Sequence, residues 1–210
     1  MQQAATFWDK AAESYAKSPI QNMEAYNYTL ERTRTYLSAT DRVLEVGCGT
    51  GSTALLLAPN VDQIIASDIS SKMIGIAQQK AKESSATNVQ FVAENIFGDA
   101  ISNGPYDAVF ALNLLHLIHD IDGAIQRIHG LLKPGGVFIS KTVCKPGKGA
   151  PFKFRFLRLV VPIMQLLGKA PFVRFMVAQE LEDLVSSHGF RVLESGDHPA
   201  PSRFIVAQKL

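Results

Sequence analysis

Three glycines alternate with other residues at Gly47, Gly49 and Gly51, a pattern that can bring a ligand against bare backbone. Upstream, Val43, Leu44 and Val46 form a short apolar run with β-branched members and read as a buried strand. Downstream, Thr53 to Ala58 has helix-like composition. Strand, glycine loop and helix together set free amides at a helix N-terminus, where a polar ligand can be held. The spacing departs from the G-x-G-x-x-G of dinucleotide binders, and Glu45 precedes the first glycine. Asp68 stands about 20 residues beyond the loop, where a dinucleotide binder also keeps an acid, so it does not separate the two. By themselves the glycines read equally as a tight turn or as a ligand loop.

Two further stretches decide between these. Ala66-Ser67-Asp68-Ile69-Ser70 with Met73, and later Leu132-Lys133-Pro134-Gly135-Gly136, follow the glycine loop in order. With it they resemble the class I S-adenosylmethionine-dependent methyltransferases, over roughly residues 5 to 143 and more loosely at the C-terminus. The likeness is to the broad group that includes the ubiquinone/menaquinone-biosynthesis-type small-molecule enzymes. It implies a doubly wound, Rossmann-like α/β fold: a seven-stranded, mostly parallel sheet with an antiparallel C-terminal strand, helices on both faces and an N-terminal helical cap. It also implies S-adenosyl-L-methionine as cofactor and a small-molecule methyl acceptor.

Carried over residue by residue, the resemblance sets the cofactor against Glu45, Gly47, Cys48, Gly49 and Gly51, then Asp68, Ile69 and Met73, then Glu94, Asn95 and Ile96, and finally Asn113. Asp68 would accept hydrogen bonds from both ribose hydroxyls, a task suited to an acceptor-only group with two oxygens. Its other reading is a helix N-cap, which Ser70 can supply instead. Met73 would flank the adenine with a flexible apolar side chain. Glu94 stands where the family usually has an Asp at the adenine amine, and is one methylene longer. Phe7-Trp8-Asp9-x-x-Ala12-x-x-Tyr15 looks like the group's cap helix, whose tyrosine approaches the cofactor carboxylate.

The elements that must position these residues follow from periodicity. Residues 4–17 and then Met23, Tyr26, Leu30, Thr33 and Leu37 show helical spacing, with Pro19 between. Gln63 to Asp68, Val89 to Val92, Tyr106 to Leu112 and Val137 to Val143 read as strands, and Lys72 to Ser84 and Asp122 to Leu132 as helices. Leu132 to Gly136 reads as a turn that ends the second helix. Gln179 to His188 reads as a helix closed by Gly189, followed by strands at Phe190 to Glu194 and Arg203 to Ala207. The β-α-β alternation predicts a parallel sheet in a single domain, 1–210, with 1–38 as cap and 145–177 as a lid-like insertion.

Composition narrows the function classes. The chain has 210 residues, 47% hydrophobic and 19% charged, with a net charge of +2, which gives no argument for nucleic acid. Cys48 and Cys144 make no disulfide framework, and no Cys/His spacing suggests a metal. Charges within the first fifteen residues argue against a signal peptide, and a cytoplasmic location is the expectation.

One segment breaks the pattern. Between Gly123 and Gln179 there is no Asp or Glu, whereas ten of the 21 Lys and Arg residues lie there. Written as a helix, Arg155, Arg158, Pro162, Gln165 and Lys169 fall on one stripe of an otherwise apolar stretch, with Pro162 a break. Three readings compete: a cover packed on the core, a lid over a lipophilic or anionic substrate, or an interfacial helix in contact with anionic lipid. Phe152, Phe156, Leu159 and Ile163 of this segment are expected near the acceptor's tail, and Leu114, just past the fourth strand, is expected on the substrate side.

The junction Asn113-Leu114-Leu115-His116 follows the fourth strand, where open α/β sheets bind ligands. His116 is the candidate general base, or else a structural residue bonded to backbone. Two rival functions stay open: a cofactor-binding protein without turnover, and a nicotinamide-dependent oxidoreductase. The glycine spacing opposes the second.

Overall fold

The computed structural model describes residues 2–145, 164–165 and 170–210. Its centre is a seven-stranded sheet: β1 Arg42–Val46, β2 Gln63–Asp68, β3 Val89–Ala93, β4 Tyr106–Leu112, β5 Leu132–Val143, β6 Phe190–Asp197 and β7 Ser202–Lys209. The strands lie in the order β3-β2-β1-β4-β5-β7-β6. Strands β1 to β5 run parallel, and β7 is antiparallel to both neighbours. Helices α1 Gln2–Lys17, α2 Met23–Arg34, α3 Ser52–Leu57, α4 Ser71–Ser84, α5 Ile121–Leu131 and α6 Ala178–Ser187 accompany it.

Alternation along β4 sends successive side chains to opposite layers. Ala108 and Phe110 join Leu30 of α2, Ala54 and Leu57 of α3, and Ile74 and Ala77 of α4. Val109 and Ala111 join Ile125 and Ile128 of α5, and Leu181 and Val185 of α6. The sheet is thus covered on both faces, which is why its strands read as near-continuous apolar runs.

The helix starts have local causes. Ser70 caps α4 by accepting the Met73 amide at 3.1 Å, and Asp120 caps α5 by accepting that of Gly123 at 2.9 Å. Ser70, not Asp68, therefore ends the approach to α4. Two sequence boundaries shift. Leu132 already pairs with Tyr106, and Val137 pairs with Ala108, so Lys133 to Gly136 bulge within β5 rather than precede it. The Lys133 ammonium holds that bulge to Asp107 at 2.6 Å. Strand β6 runs on to Asp197 past a register shift at Val192/Glu194, where the exposed Leu193 breaks the alternation. No helix among the described residues is long and apolar enough to cross a membrane.

Candidate functional site

Strand order reverses between β1 and β4, and the loops after their C-terminal ends open onto that switch point. Gly47 follows β1, Asp68 ends β2 and Asn113 follows β4, so residues far apart in sequence converge there.

Each glycine of the loop has its own neighbour. A Cβ on Gly47 would lie 2.7 Å from the Leu114 side chain, and one on Gly51 would lie 2.6 Å from the Phe91 ring and 2.8 Å from the Ala77 Cβ. These two are therefore closed by the protein itself. Gly49 is different: its nearest neighbour is the Tyr15 ring at 3.7 Å, and its φ of +54° is one that side chains resist. Its amide donates to Asp68 Oδ2 at 2.9 Å, while the Ser70 amide donates to Oδ1 at 2.8 Å. Each carboxylate oxygen keeps a free lone pair. Burial pushes the Asp68 pKa up, the two amides oppose that, and Asp9 adds to the rise.

Glu45 lies beneath the loop, 2% exposed, with Oε2 lacking any partner among the described residues. Burial, reinforced by the Asp68 charge, pushes its pKa up to about 8, against the Ala54 amide. At neutral pH it holds its proton. Cys48 is a buried free thiol whose pKa burial raises well above the ordinary range, so it is inert.

The cap closes over this from α1. Asp9 Oδ1 accepts from Ser70 Oγ at 2.6 Å and from the Lys72 amide at 3.1 Å, pinning α1 to the start of α4. Tyr15, half exposed, overhangs the glycine loop, and burial together with the Asp68 and Glu45 charges raises its pKa. Sequence reasoning gave no role to Asp9; its partner lies 61 residues away. Lys80 was missed likewise: its ammonium spans Thr50 Oγ1 at 2.9 Å and Ser52 Oγ at 3.0 Å, bracing the loop from α4.

At the end of β3, the Glu94 amide donates to the Asp68 carbonyl at 2.9 Å, which brings the two loops together. The Glu94 carboxylate turns back onto the Asn95 amide at 2.8 Å and occupies the space beside Gly98. Ile96 is buried, as is Met73, whereas Ile69 is half-buried.

After β4, Asn113 takes a φ of +60°, and its amide donates to the Lys141 carbonyl at 2.6 Å. His116 is half-buried, with Nδ1 lacking a partner among the described residues, and burial pulls its pKa down to about 4. The Arg174 amide donates to the His116 carbonyl at 2.6 Å, the Arg174 guanidinium to the His119 carbonyl at 2.6 Å, and Phe172 stacks on His119 at 3.7 Å. The Lys145 amide donates to the Met176 carbonyl at 2.6 Å, so the two ends of the acid-free segment meet. Phe152, Phe156, Leu159 and Ile163, and the cations Arg155 and Arg158, lie outside the described residues.

Lys141 is a further residue with no sequence signal of its own. It lines a cavity of about 40 Å³ with Tyr26, Thr29, Thr33, Thr53 and Asn113, and burial lowers its pKa.

Residues 20–195 match the family model described as a methyltransferase domain. The ubiquinone biosynthesis O-methyltransferase of Serratia proteamaculans is 32% identical over 139 residues, covering 65% of this chain and 56% of that protein. Among solved structures, the [4+2]-cyclase SpnF superposes with a TM-score of 0.78 at 22% identity, over 99% of this chain and 95% of that one. The N-methyltransferase NodS of Bradyrhizobium japonicum, solved with S-adenosyl-L-homocysteine, superposes at 0.71 and 15% identity, over 99% and 97%. These structural likenesses are of fold. Eight of the curated relatives are matched over 3% to 61% of their own length, so the chain spans less than two thirds of each.

Proposed function

The chain belongs to the methyltransferase-domain family, and on that premise we propose that it binds S-adenosylmethionine at the β1–β2–β4 junction and methylates a small, apolar acceptor. The observation that carries the reading is Asp68, oriented by two amides yet with both oxygens able to accept more, beside the open face of Gly49. The residues present fit the cofactor. Asp68 would hold the ribose, and Met73, Glu94, Asn95 and Ile96 would surround the base. Glu45, Tyr15 and the glycine-loop backbone would face the amino-acid end, where the orphaned Glu45 oxygen gains a partner.

When bound, the cofactor supplies an electrophilic methyl group on a sulfonium. The chain's own contribution is position and exclusion of water, which together account for most of the acceleration in such transfers. Leu114, packed over Gly47, gives an apolar wall at the strand end. His116 is an uncharged imidazole at neutral pH, so one ring nitrogen is free to accept the proton of a nucleophile that must lose one. The apolar acceptor rests on the composition of residues 145–177, whose ends close beside His116.

The test is incubation with S-adenosylmethionine and a panel of phenols, quinols, fatty acids and amines, with methylated product read by mass spectrometry. Because a protein of the same fold is named a cyclase, the readout is product rather than cofactor binding. Asp68→Ala should abolish product; methylation that favours hydrophilic acceptors would contradict the acceptor assignment. Sedimentation with anionic vesicles at low and high salt separates a lid from a lipid-facing helix, which alone would bind in a salt-sensitive way.

A further inference from the structure

On the α2 side of the sheet, Lys141 of β5 sits opposite Leu112 at the end of β4. The walls of its cavity are neutral. Tyr26 and Thr53 share a hydrogen bond of 3.2 Å, and the Thr29 and Thr33 hydroxyls donate to carbonyls of their own helix, so none of them is ionised. Among the described residues no carboxylate pairs with Lys141, and residues 146–163 and 166–169 contain no Asp or Glu. A half-buried ammonium with no counter-ion is costly, and an anion brought by a ligand offsets that cost.

We propose that this cavity is a subsite for a carboxylate, or a comparably acidic group, on the methyl acceptor, with Lys141 as its ion partner. The inference rests on the methyl-transfer reading and sharpens it: the acceptor is amphiphilic, an apolar body with one acidic end. A volume of about 40 Å³ exceeds the ~15 Å³ that one water needs. It has room for a carboxylate but not for the apolar body of the acceptor, which stays outside.

Two molecules could bring a carboxylate to Lys141, the acceptor and the amino-acid end of the cofactor. Position favours the acceptor. Glu45 lies on β1, and β5 is two strands away, roughly 10 Å at the spacing of a sheet. On the methyl-transfer reading the cofactor's amino-acid end would have its own partners in Glu45 of β1 and Tyr15 of α1.

Benzoate and benzamide, similar in size and different in charge, are titrated by NMR into the protein with and without S-adenosylhomocysteine. Wild type is expected to bind benzoate roughly tenfold or more tightly than benzamide, the margin of a charge-assisted hydrogen bond. Lys141→Met should cancel the preference and Lys141→Arg retain most of it, with S-adenosylhomocysteine affinity unchanged and the melting temperature of Lys141→Met no lower than that of wild type. Equal binding of the two probes by wild type overturns the proposal, as does a preference that survives in Lys141→Met. Weakened S-adenosylhomocysteine binding by Lys141→Met would give the lysine to the cofactor and overturn the acceptor assignment. Should wild type not bind S-adenosylhomocysteine at all, the methyl-transfer reading falls separately, and the titration without it still decides the anion subsite.

Discussion

The Asp68 carboxylate accepts the Gly49 amide at 2.9 Å and so ties the end of β2 to the middle of the glycine loop. One residue thus shapes the loop and keeps acceptor capacity on both of its oxygens. Asp68→Ala should weaken S-adenosylmethionine binding by about 1.5–3 kcal/mol, the range for a hydrogen bond to a charged group. Titration calorimetry beside a melting curve checks it: the affinity falls and the fold persists. Unchanged affinity would remove the ribose assignment.

The glycines should separate by phenotype. Gly51→Ala drives a methyl into Phe91 and Ala77 and should cost about 1–3 kcal/mol of stability, read by urea denaturation. Gly49→Val meets only Tyr15 but resists its positive φ and blocks ligand approach. It should lose cofactor binding while still melting cooperatively. A Gly49→Val protein that binds normally would reduce the loop to a turn.

Glu45 should make the ligand-free protein sensitive to pH. Its folded pKa of about 8 lies above its ordinary 4.5, so the folded state holds the proton more tightly than the unfolded chain. Stability should therefore fall as pH rises from about 4.5 to about 8. Glu45→Gln should flatten that slope in thermal melts from pH 5 to pH 8, roughly the window in question. A cationic ligand beside Glu45 should lower its pKa and expel the proton. Cofactor titrations at neutral pH should then give different heats in phosphate and in Tris, and equal heats would speak against this.

Much of the fold was legible because its signals are local. Buried parallel strands read as apolar runs, Ser70 and Asp120 announce helix starts, and Glu45 to Gly51 with Asp68 mark the switch point. What was not legible depends on contacts between distant elements. Asp9 reaches Ser70 across 61 residues, and Leu114 closes over Gly47. Lys141 reads as one cation among ten until α2 folds its threonines against it. The bulge of Lys133 to Gly136 likewise looked like a plain turn, because only pairing with β4 reveals that Leu132 is already in the ladder.

His116 should behave as a neutral imidazole. Its folded pKa of about 4 lies below its ordinary 6.5, so stability is lost as pH falls from about 6.5 to about 4. If it accepts the acceptor's proton, His116→Ala should lower turnover by roughly 10²–10⁴ with cofactor affinity intact. A loss smaller than roughly threefold would make it a structural residue.

The central claim, that the loop after β1 and the acid ending β2 form a cofactor site, is tested most directly by isothermal titration of the protein with S-adenosylmethionine and, separately, with NAD⁺. The account predicts one-to-one binding of S-adenosylmethionine that Asp68→Ala weakens, and no heat from NAD⁺. Saturable binding of NAD⁺ with none of S-adenosylmethionine would contradict it.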